Sequence, residues 1–312
     1  MSSSPPAPSP LHGEGGITSG DPAAFDGLAE GYDAAFSHRP IGRFLRGVVQ
    51  ARLAAHFRAG DHVLEMGCGT GEDALWLAER GIRVTATDAS ETMLAVTRAK
   101  CAGQALVEAR RLDLAGLRGE EDEEELNRRD AENTEEYGDS TAKTQSTQRN
   151  TAEWDGGFSS FGAMNCLEDW RGVAGWLGER IRPGGIVGLG VMSPWCVWEP
   201  LWHGLHGDWR TATRRWRRKT LFQGAADGQA TAVTYPSIGR LSRDFAPYFE
   251  RIHVQPLGLF LPPSDVFGVI EKRPRLMRLL MALEARFGRA RLLAALADHY
   301  WVEFRRRESN AD

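Results

Sequence analysis

Between Phe25 and Phe57 apolar residues recur at helical spacing, with a break near Pro40, which predicts two or three helices ahead of the first strand. The period then shortens. Val63 and Leu64 lead into a glycine loop, Ala74 to Ala78 is helical, and Val84 to Thr87 is a short apolar run ending at Asp88. This is a strand, loop, helix, strand unit. Met93, Leu94 and Val96 mark a second helix over Glu91 to Lys100, and Ala105 to Leu112 suits a third strand. Beyond a long polar stretch the pattern predicts a fourth strand at Phe158 to Met164 and a helix near Asp169 to Ile181. A turn at Arg182-Pro183-Gly184-Gly185 precedes a fifth strand at Ile186 to Met192. A hairpin follows over Thr220 to Tyr235, turning at Ala226-Asp227-Gly228, and then a capped helix over Ser237 to Phe245. The chain closes with a strand at Ile252 to Phe260, a helix from Pro274 to Ala297 broken at Gly288, and a strand at Tyr300 to Phe304. Strands alternating with helices predict an α/β fold on a right-handed parallel sheet.

Composition adds the segments that stay outside this fold. The 312 residues are 42% apolar and 26% charged, with 35 glycines, which suits a soluble globular protein and excludes collagen and coiled coil. The net charge of -4 is unevenly placed, because Glu120 to Asp139 holds eleven acidic residues against two arginines. The remainder is mildly basic, and no global basic excess recommends nucleic acid. Residues 119–153 contain no Val, Ile, Phe, Met or Trp and read as a solvated, disordered insertion; recruitment of a basic partner is its alternative use. Residues 1–24 are rich in Ser, Pro and Gly, lack Lys and Arg, and read as a disordered tail rather than a signal peptide. Cys68, Cys101, Cys166 and Cys196 lie far apart with no Cys-x-x-Cys pair, which points to a reducing, cytoplasmic location and against zinc. No stretch reaches the roughly 18 uncharged apolar residues of a membrane-spanning helix.

The stretch Val63-Leu64-Glu65-Met66-Gly67-Cys68-Gly69-Thr70-Gly71 is a hydrophobic strand running into alternate glycines and then directly into a helix. Such a loop lets backbone amides approach a ligand. A P-loop would end in Gly-Lys-Ser/Thr, but Glu72 and Asp73 follow Gly71 and would repel phosphates. A dinucleotide fingerprint would have its third glycine where Glu72 stands. Asp88, 17 residues after Gly71 at the end of the second strand, can accept both hydroxyl protons of a ribose.

The loop resembles motif I of the class I S-adenosylmethionine-dependent methyltransferases: a hydrophobic strand, Asp or Glu, then Gly-x-Gly-x-Gly, matched by Glu65, Gly67, Gly69 and Gly71. That cofactor is a sulfonium cation with an ammonium group and no phosphate, so acidic residues around the loop help rather than hinder. The resemblance extends from Phe25 to Phe304, apart from the acidic stretch, and is most specific between His62 and Ser90. Leu112-Asp113-Leu114 resembles the segment that holds the adenine, and Phe158 to Asn165 the one whose backbone touches the methionine part, with Trp154-Asp155 in place of a common Phe-Asp. Gly31-Tyr32-Asp33 resembles a Tyr-Asp pair of the ubiquinone/menaquinone-type branch, whose tyrosine lies against the cofactor.

The resemblance implies a doubly wound, Rossmann-like seven-stranded sheet of order 3-2-1-4-5-7-6 with its last strand antiparallel. It also implies one domain over residues 25–312, with an N-terminal helical cap over 25–60 and a lid, 193–235, inserted after strand five. The implied cofactor site comprises Tyr32, Glu65, Gly67, Cys68, Gly69, Gly71, Asp88, Ala89, Met93, Asp113, Leu114 and Ser160. Methyl transfer is an in-line displacement, so the protein mainly aligns its reactants, and a base is needed only for an acceptor that loses a proton early. His38, His203 and His206 are candidates for that base. The latter two stand three apart with no third ligand nearby, so no metal is expected.

On the acceptor side, Trp195, Trp198, Trp202, Trp209 and Trp216 fall within about 60° on an ideal helix, with Arg210, Arg214, Arg215, Arg217, Arg218 and Lys219 largely elsewhere. They read as a lid packed on the sheet, or as a peripheral membrane contact near anionic headgroups. The function expected is S-adenosylmethionine-dependent methylation of a small, apolar or lipid-like acceptor. An NAD-dependent oxidoreductase and a non-catalytic cofactor-binding protein are the alternatives.

Overall fold

Val63, Leu64, Val84, Ala86 and Phe158 are fully enclosed, and strands this apolar on both sides need a helical layer on each face. The chain supplies it. The computed structural model describes residues 22–117, 152–223 and 230–308. The expected tail and acidic insertion, apart from 22–24 and 152–153, and the tip of the expected hairpin lie outside these residues.

The main sheet contains β1 (His62–Met66), β2 (Arg83–Asp88), β3 (Val107–Arg111), β4 (Trp154–Ser159), β5 (Ile181–Met192), β8 (Phe249–Leu257) and β9 (His299–Arg306). A separate antiparallel hairpin is made of β6 (Lys219–Gln223) and β7 (Ala230–Thr234). The sheet order is β3-β2-β1-β4-β5-β9-β8, with β1 to β5 parallel and β9 antiparallel to both neighbours. Leaving out the hairpin, this is the expected order 3-2-1-4-5-7-6. One face is covered by α1 (Pro40–His56), α2 (Glu72–Ala78) and α3 (Glu91–Lys100), with Val49, Leu53 and Leu77 against Val63 and Phe158. The other is covered by α4 (Arg171–Arg180) and α7 (Ile238–Phe245), with Leu177 and Phe245 against Leu64 and Val187. Between them lie α5 (Trp198–Leu205) and α6 (Trp209–Ala212), and after β8 come α8 (Phe267–Glu271) and α9 (Pro274–Phe287).

The cap is fastened to the sheet by charge. Arg52 of α1 donates two hydrogen bonds, 2.7 and 2.6 Å, to Glu303 of β9, which also meets His56 and Trp301. Burial would raise the Glu303 carboxyl, but these partners outweigh it and hold it at about 2.

Two expectations about the strands are corrected. The fourth strand is Trp154–Ser159, not Phe158 to Met164; Ala163–Cys166 is a 3-10 turn entered through Gly162 at φ +84°. Gly156 and Gly157 look like loop residues, but a Cβ on Gly156 would sit 2.5 Å from the Ile186 carbonyl oxygen, so close strand packing requires glycine there. The Arg182 to Gly185 turn is an irregularity inside β5, where the register shifts against β4. The last long helix breaks at Gly288 as expected: it ends at Phe287, and Arg291–Leu296 is a separate 3-10 turn.

The five tryptophans do not share one helix face. Gly207 at φ +79° and the Asp208 cap of α6 break the phase after α5. Trp198 and Trp202 pack on the core, whereas Trp195, Trp209 and Trp216 are exposed. Nor is the arginine run one basic face. Arg215 is buried, donating to Glu199 and Asp298, and Arg214 also pairs with Glu199.

Candidate functional site

Parallel strands end at one edge of the sheet, and the loops leaving β1, β2 and β4 converge there. Gly67, Gly69 and Gly71 have φ of +70°, +54° and +77°, a region that side chains avoid. Their surroundings differ. A Cβ on Gly67 would lie 2.2 Å from Ala163 Cβ and one on Gly71 2.8 Å from Thr97 Cγ2, whereas one on Gly69 would meet nothing within 4 Å. The loop is thus packed from behind at two glycines and faces open space at the third.

Asp88 locks this loop to the next helix. Its Oδ2 accepts from the Gly69 N–H and its Oδ1 from the Ser90 N–H, both at 2.9 Å, and a carboxylate with about four acceptor sites still has capacity for a ligand. Burial raises its carboxyl above the ordinary value, against the pull of the backbone N–H groups of Ser90, Gly69 and Ala89. Ser90 caps α3 by accepting from the Met93 N–H and donates its hydroxyl to Asp26 of the cap. Phe25 stacks on Phe222 of the hairpin, 5.5 Å between ring centres, so cap and hairpin meet beside Asp88.

Behind the loop lies a second carboxylate. Glu65 is buried, and its Oε2 has no hydrogen-bond partner among the described residues. Burial, then the charge of Asp73, raises its carboxyl well above the ordinary value, while Arg46 pulls it down. Asp73, enclosed in the first turn of α2, accepts from Arg46 at 2.5 Å, from Ser160 Oγ at 2.7 Å and from Gln50 at 3.1 Å. Arg46 itself keeps a buried Nε–H without a hydrogen-bond partner among the described residues. Two carboxylates in the first turn of α2 stand where a dinucleotide pyrophosphate would lie, so the charge pattern opposes NAD and suits a cation.

Of the expected site residues, Tyr32, Glu65, the three glycines, Asp88 and Ser160 converge on this edge. Burial raises the Tyr32 phenol, with Arg46, Asp73 and Asp88 in its electrostatic surroundings. Asp33 beside it accepts from Thr70 Oγ1 of the loop at 2.7 Å. Ala89 and Met93 follow Asp88 into α3, where Met93 is buried. The Cys68 side chain turns the other way, toward Thr97, and burial pushes its thiol well up, so it offers only backbone to the site. Asp113 and Leu114 reach the same edge, where the Leu112 N–H donates to the Asp88 carbonyl. The exposed Asp113 carboxylate accepts from the Ala115 N–H and caps a short turn.

Four residues escaped sequence reasoning. Arg46 and Asp73 pair across 27 positions, and Thr97 supports the loop by donating to the Gly69 carbonyl at 2.8 Å. The fourth is His299. It opens β9 opposite Met192 at the end of β5, and its ring meets Phe161 edge-on at 5.9 Å. Phe161 also contacts Phe36 at 5.0 Å, and Phe36 stacks on Phe267, an aromatic wall next to Ser160. His299 Nδ1 lies 2.9 Å from Asp298 Oδ2. Burial would raise Asp298, but His299 and Arg215 outweigh it and hold it well below the usual range. An ionised carboxylate only accepts, so Nδ1 carries the hydrogen of this contact.

The other histidines do not converge on the site as a base. His203 pairs with Asp265 and His206 with the Trp202 carbonyl, and exposed His38 lies 3.5 Å from Glu72. Asp33, His38 and Glu72 bring their ligand atoms within 4.8 Å of one another, but Lys100 Nζ bonds both carboxylates. An ammonium already bridges the two carboxylates and balances one of their charges.

Residues 63–126 match the family profile described as a methyltransferase domain. Over 82 residues the chain is 39% identical to a demethylmenaquinone methyltransferase of Symbiobacterium thermophilum, covering 25% of this chain and 32% of that protein. Over 81 residues it is 38% identical to a protein of Geobacillus sp. (strain WCH70) named as a methyltransferase, covering 26% and 32%. The chain thus spans about a third of the length of the curated relatives it matches. Solved structures share the fold at low identity. A chain from the complex of a Haloferax volcanii methyltransferase with its activator superposes with a TM-score of 0.53 at 12% identity, over 93% of this chain and 99% of that one. The CcbJ methyltransferase from Streptomyces caelestis gives 0.50 at 14%, over 91% and 98%. The fold is the Rossmann-like methyltransferase fold, its glycine-loop segment is similar to a methyltransferase domain, and S-adenosylmethionine is the cofactor such a segment serves.

Proposed function

We propose that the chain is an S-adenosylmethionine-dependent methyltransferase acting on a small, apolar acceptor, aromatic or quinone-like, in a reducing cytoplasm. One observation carries this reading: the Asp88 carboxylate holds the glycine loop and α3 together while keeping acceptor capacity for a ligand, with the unpartnered Glu65 oxygen behind it. The residues fit the cofactor. Asp88 would hold the ribose hydroxyls, Glu65 the ammonium group, and the free Nε–H of Arg46 the carboxylate of the methionine part. When bound, S-adenosylmethionine supplies an activated methyl group. The contribution of the chain is to align and to exclude water, with Phe36, Phe161 and Phe267 forming an apolar acceptor wall. The match to a demethylmenaquinone methyltransferase and the Tyr32-Asp33 pair support the quinone-like choice. Isothermal titration with S-adenosylmethionine and S-adenosylhomocysteine tests the reading: micromolar binding is expected, and uptake of NAD instead would overturn it.

Glu65 makes that affinity depend on pH. Burial raises its carboxyl well above the ordinary value, whereas a cation beside it favours the carboxylate, so below that raised value binding is coupled to release of a proton. Affinity is expected to level off above the raised pKa and to fall by about tenfold per pH unit below it. Titrations in two buffers of different ionisation enthalpy should differ by the heat of that proton; identical enthalpies would exclude the coupling.

His299 is placed to take the proton of a hydroxyl acceptor. His299→Asn should lower turnover of such an acceptor by about 10²- to 10⁴-fold. Cofactor affinity should not change, so a parallel loss of binding would assign His299 a structural role.

A further inference from the structure

We propose that the face formed by α9, the exposed side of α5 and residues 291–296 is a docking surface for an anionic lipid bilayer; this goes beyond methyl transfer and does not depend on it. Helix α9 is apolar on two adjacent stripes. Met277, Leu280 and Met281 pack on the core. Leu276, Leu279, Leu283 and Phe287 fall within about 80° on the neighbouring stripe, and Leu279 and Phe287 are 56% and 44% exposed. On the far border of that stripe stand Arg275, Arg278 and Arg286, all exposed.

The charge is one-sided. Residues 272–291 carry seven lysine and arginine side chains, all exposed, against one acid. That acid, Glu284, is buried and accepts from the N–H groups of Gly258, Leu259 and Phe260, so it neutralises nothing at the surface. Among the described residues no carboxylate pairs with any of the seven; Arg273 and Arg278 bond backbone carbonyls instead. Next to the stripe, Leu201 and Leu205 of α5 are 59% and 81% exposed. Between α5 and α9 opens a cleft of about 380 Å³ lined by Trp198, Leu201, Phe260, Leu280, Leu293 and Leu296, without a charged side chain.

A broad apolar patch bordered by cations is unusual on a free soluble protein and matches the layering of headgroup over acyl chain. Anionic phosphates complement the arginines, and the leucines need a hydrocarbon phase. A second copy of the chain would set the same seven cations face to face, and a nucleic acid would leave the leucines in water. The lipid surface satisfies both requirements. It would also bring the active site to the phase in which an apolar acceptor collects.

The test is co-sedimentation of the full chain with vesicles of phosphatidylcholine alone and of an equimolar mixture with phosphatidylglycerol. Binding to the anionic vesicles only, weakening as salt rises, is expected. Each cation near the surface contributes about fivefold, so the triple variant Arg275→Glu, Arg278→Glu, Arg286→Glu should lose more than about a hundredfold. Leu276→Ser with Leu279→Ser should leave weak, fully salt-reversible adsorption. Unchanged affinity for S-adenosylhomocysteine, or failing that an unchanged unfolding temperature, shows that the variants are folded. The proposal is overturned by no binding to either vesicle, by equal binding to both, or by a triple variant that binds as the parent does. It is also overturned if sedimentation velocity finds self-association that the leucine variant abolishes.

Discussion

Asp88→Ala is expected to weaken S-adenosylmethionine binding by about a hundredfold or more. The two oxygens of this carboxylate hold the Gly69 and Ser90 N–H groups and are expected to accept charge-assisted hydrogen bonds from both hydroxyls of a ribose. Such bonds contribute about 1.5–3 kcal/mol each, so losing both gives at least this factor. The substitution also removes the acceptor that holds Gly69 at φ +54°, so the loop loses part of its preorganisation. Asp88→Asn separates the two effects, because its single carbonyl oxygen can keep one bond and its loss should be intermediate. An alanine variant that titrates with the parent affinity would remove the central assignment, whatever its stability.

Arg215→Met should cost about 3–5 kcal/mol of stability, a fall in unfolding temperature of about 10 °C. The guanidinium is buried and bridges two acids from distant parts of the chain: its Nε donates to Glu199 at 2.9 Å and its NH2 to Asp298 at 2.5 Å. It also holds the carbonyls of Ser193 and Asp298. Methionine fills similar volume but leaves Asp298 with His299 alone and Glu199 with Arg214 alone. The effect depends on pH with a definite sign. Asp298 has a folded pKa below its ordinary 3.8, so its contribution is present above that value and is lost as pH falls. The difference between parent and variant should therefore shrink in acid, once Asp298 protonates and no longer needs the cation. Urea unfolding at neutral pH and near pH 3 measures both; a constant difference would show that packing rather than charge is responsible. Adding Asp298→Asn to the variant should recover part of the loss at neutral pH.

The glycine loop was legible because its chemistry is local. Three glycines at alternate positions after a buried strand have little use other than left-handed backbone beside a ligand, and all three adopt it. The alternation of apolar strands with helices likewise fixed the class of sheet, since connection handedness leaves few ways to lay such elements side by side. Local pattern failed where contact overrides propensity. Gly156 belongs to a central strand because the neighbouring strand and Phe57 pass too close for a side chain. The tryptophan spacing was sound arithmetic for a helix that Gly207 and the Asp208 cap do not allow to continue.

The site itself divides in the same way. Glu65, the glycines and Asp88 stand within one strand–loop–helix–strand unit, so their spacing alone places them on one edge. The groups that set their charge do not. Arg46 reaches Asp73 across 27 residues, and Arg215 reaches Asp298 across 83. Side-chain period reports the conformation of the backbone it belongs to. Which acid a cation finds depends on how α1 lies over α2 and how β9 inserts between β5 and β8, and burial then makes those pairings obligatory. The cofactor was therefore determined by the sequence, while the partner of every buried charge, and with it the contact of His299 with Asp298 and Phe161, was decided only by tertiary structure.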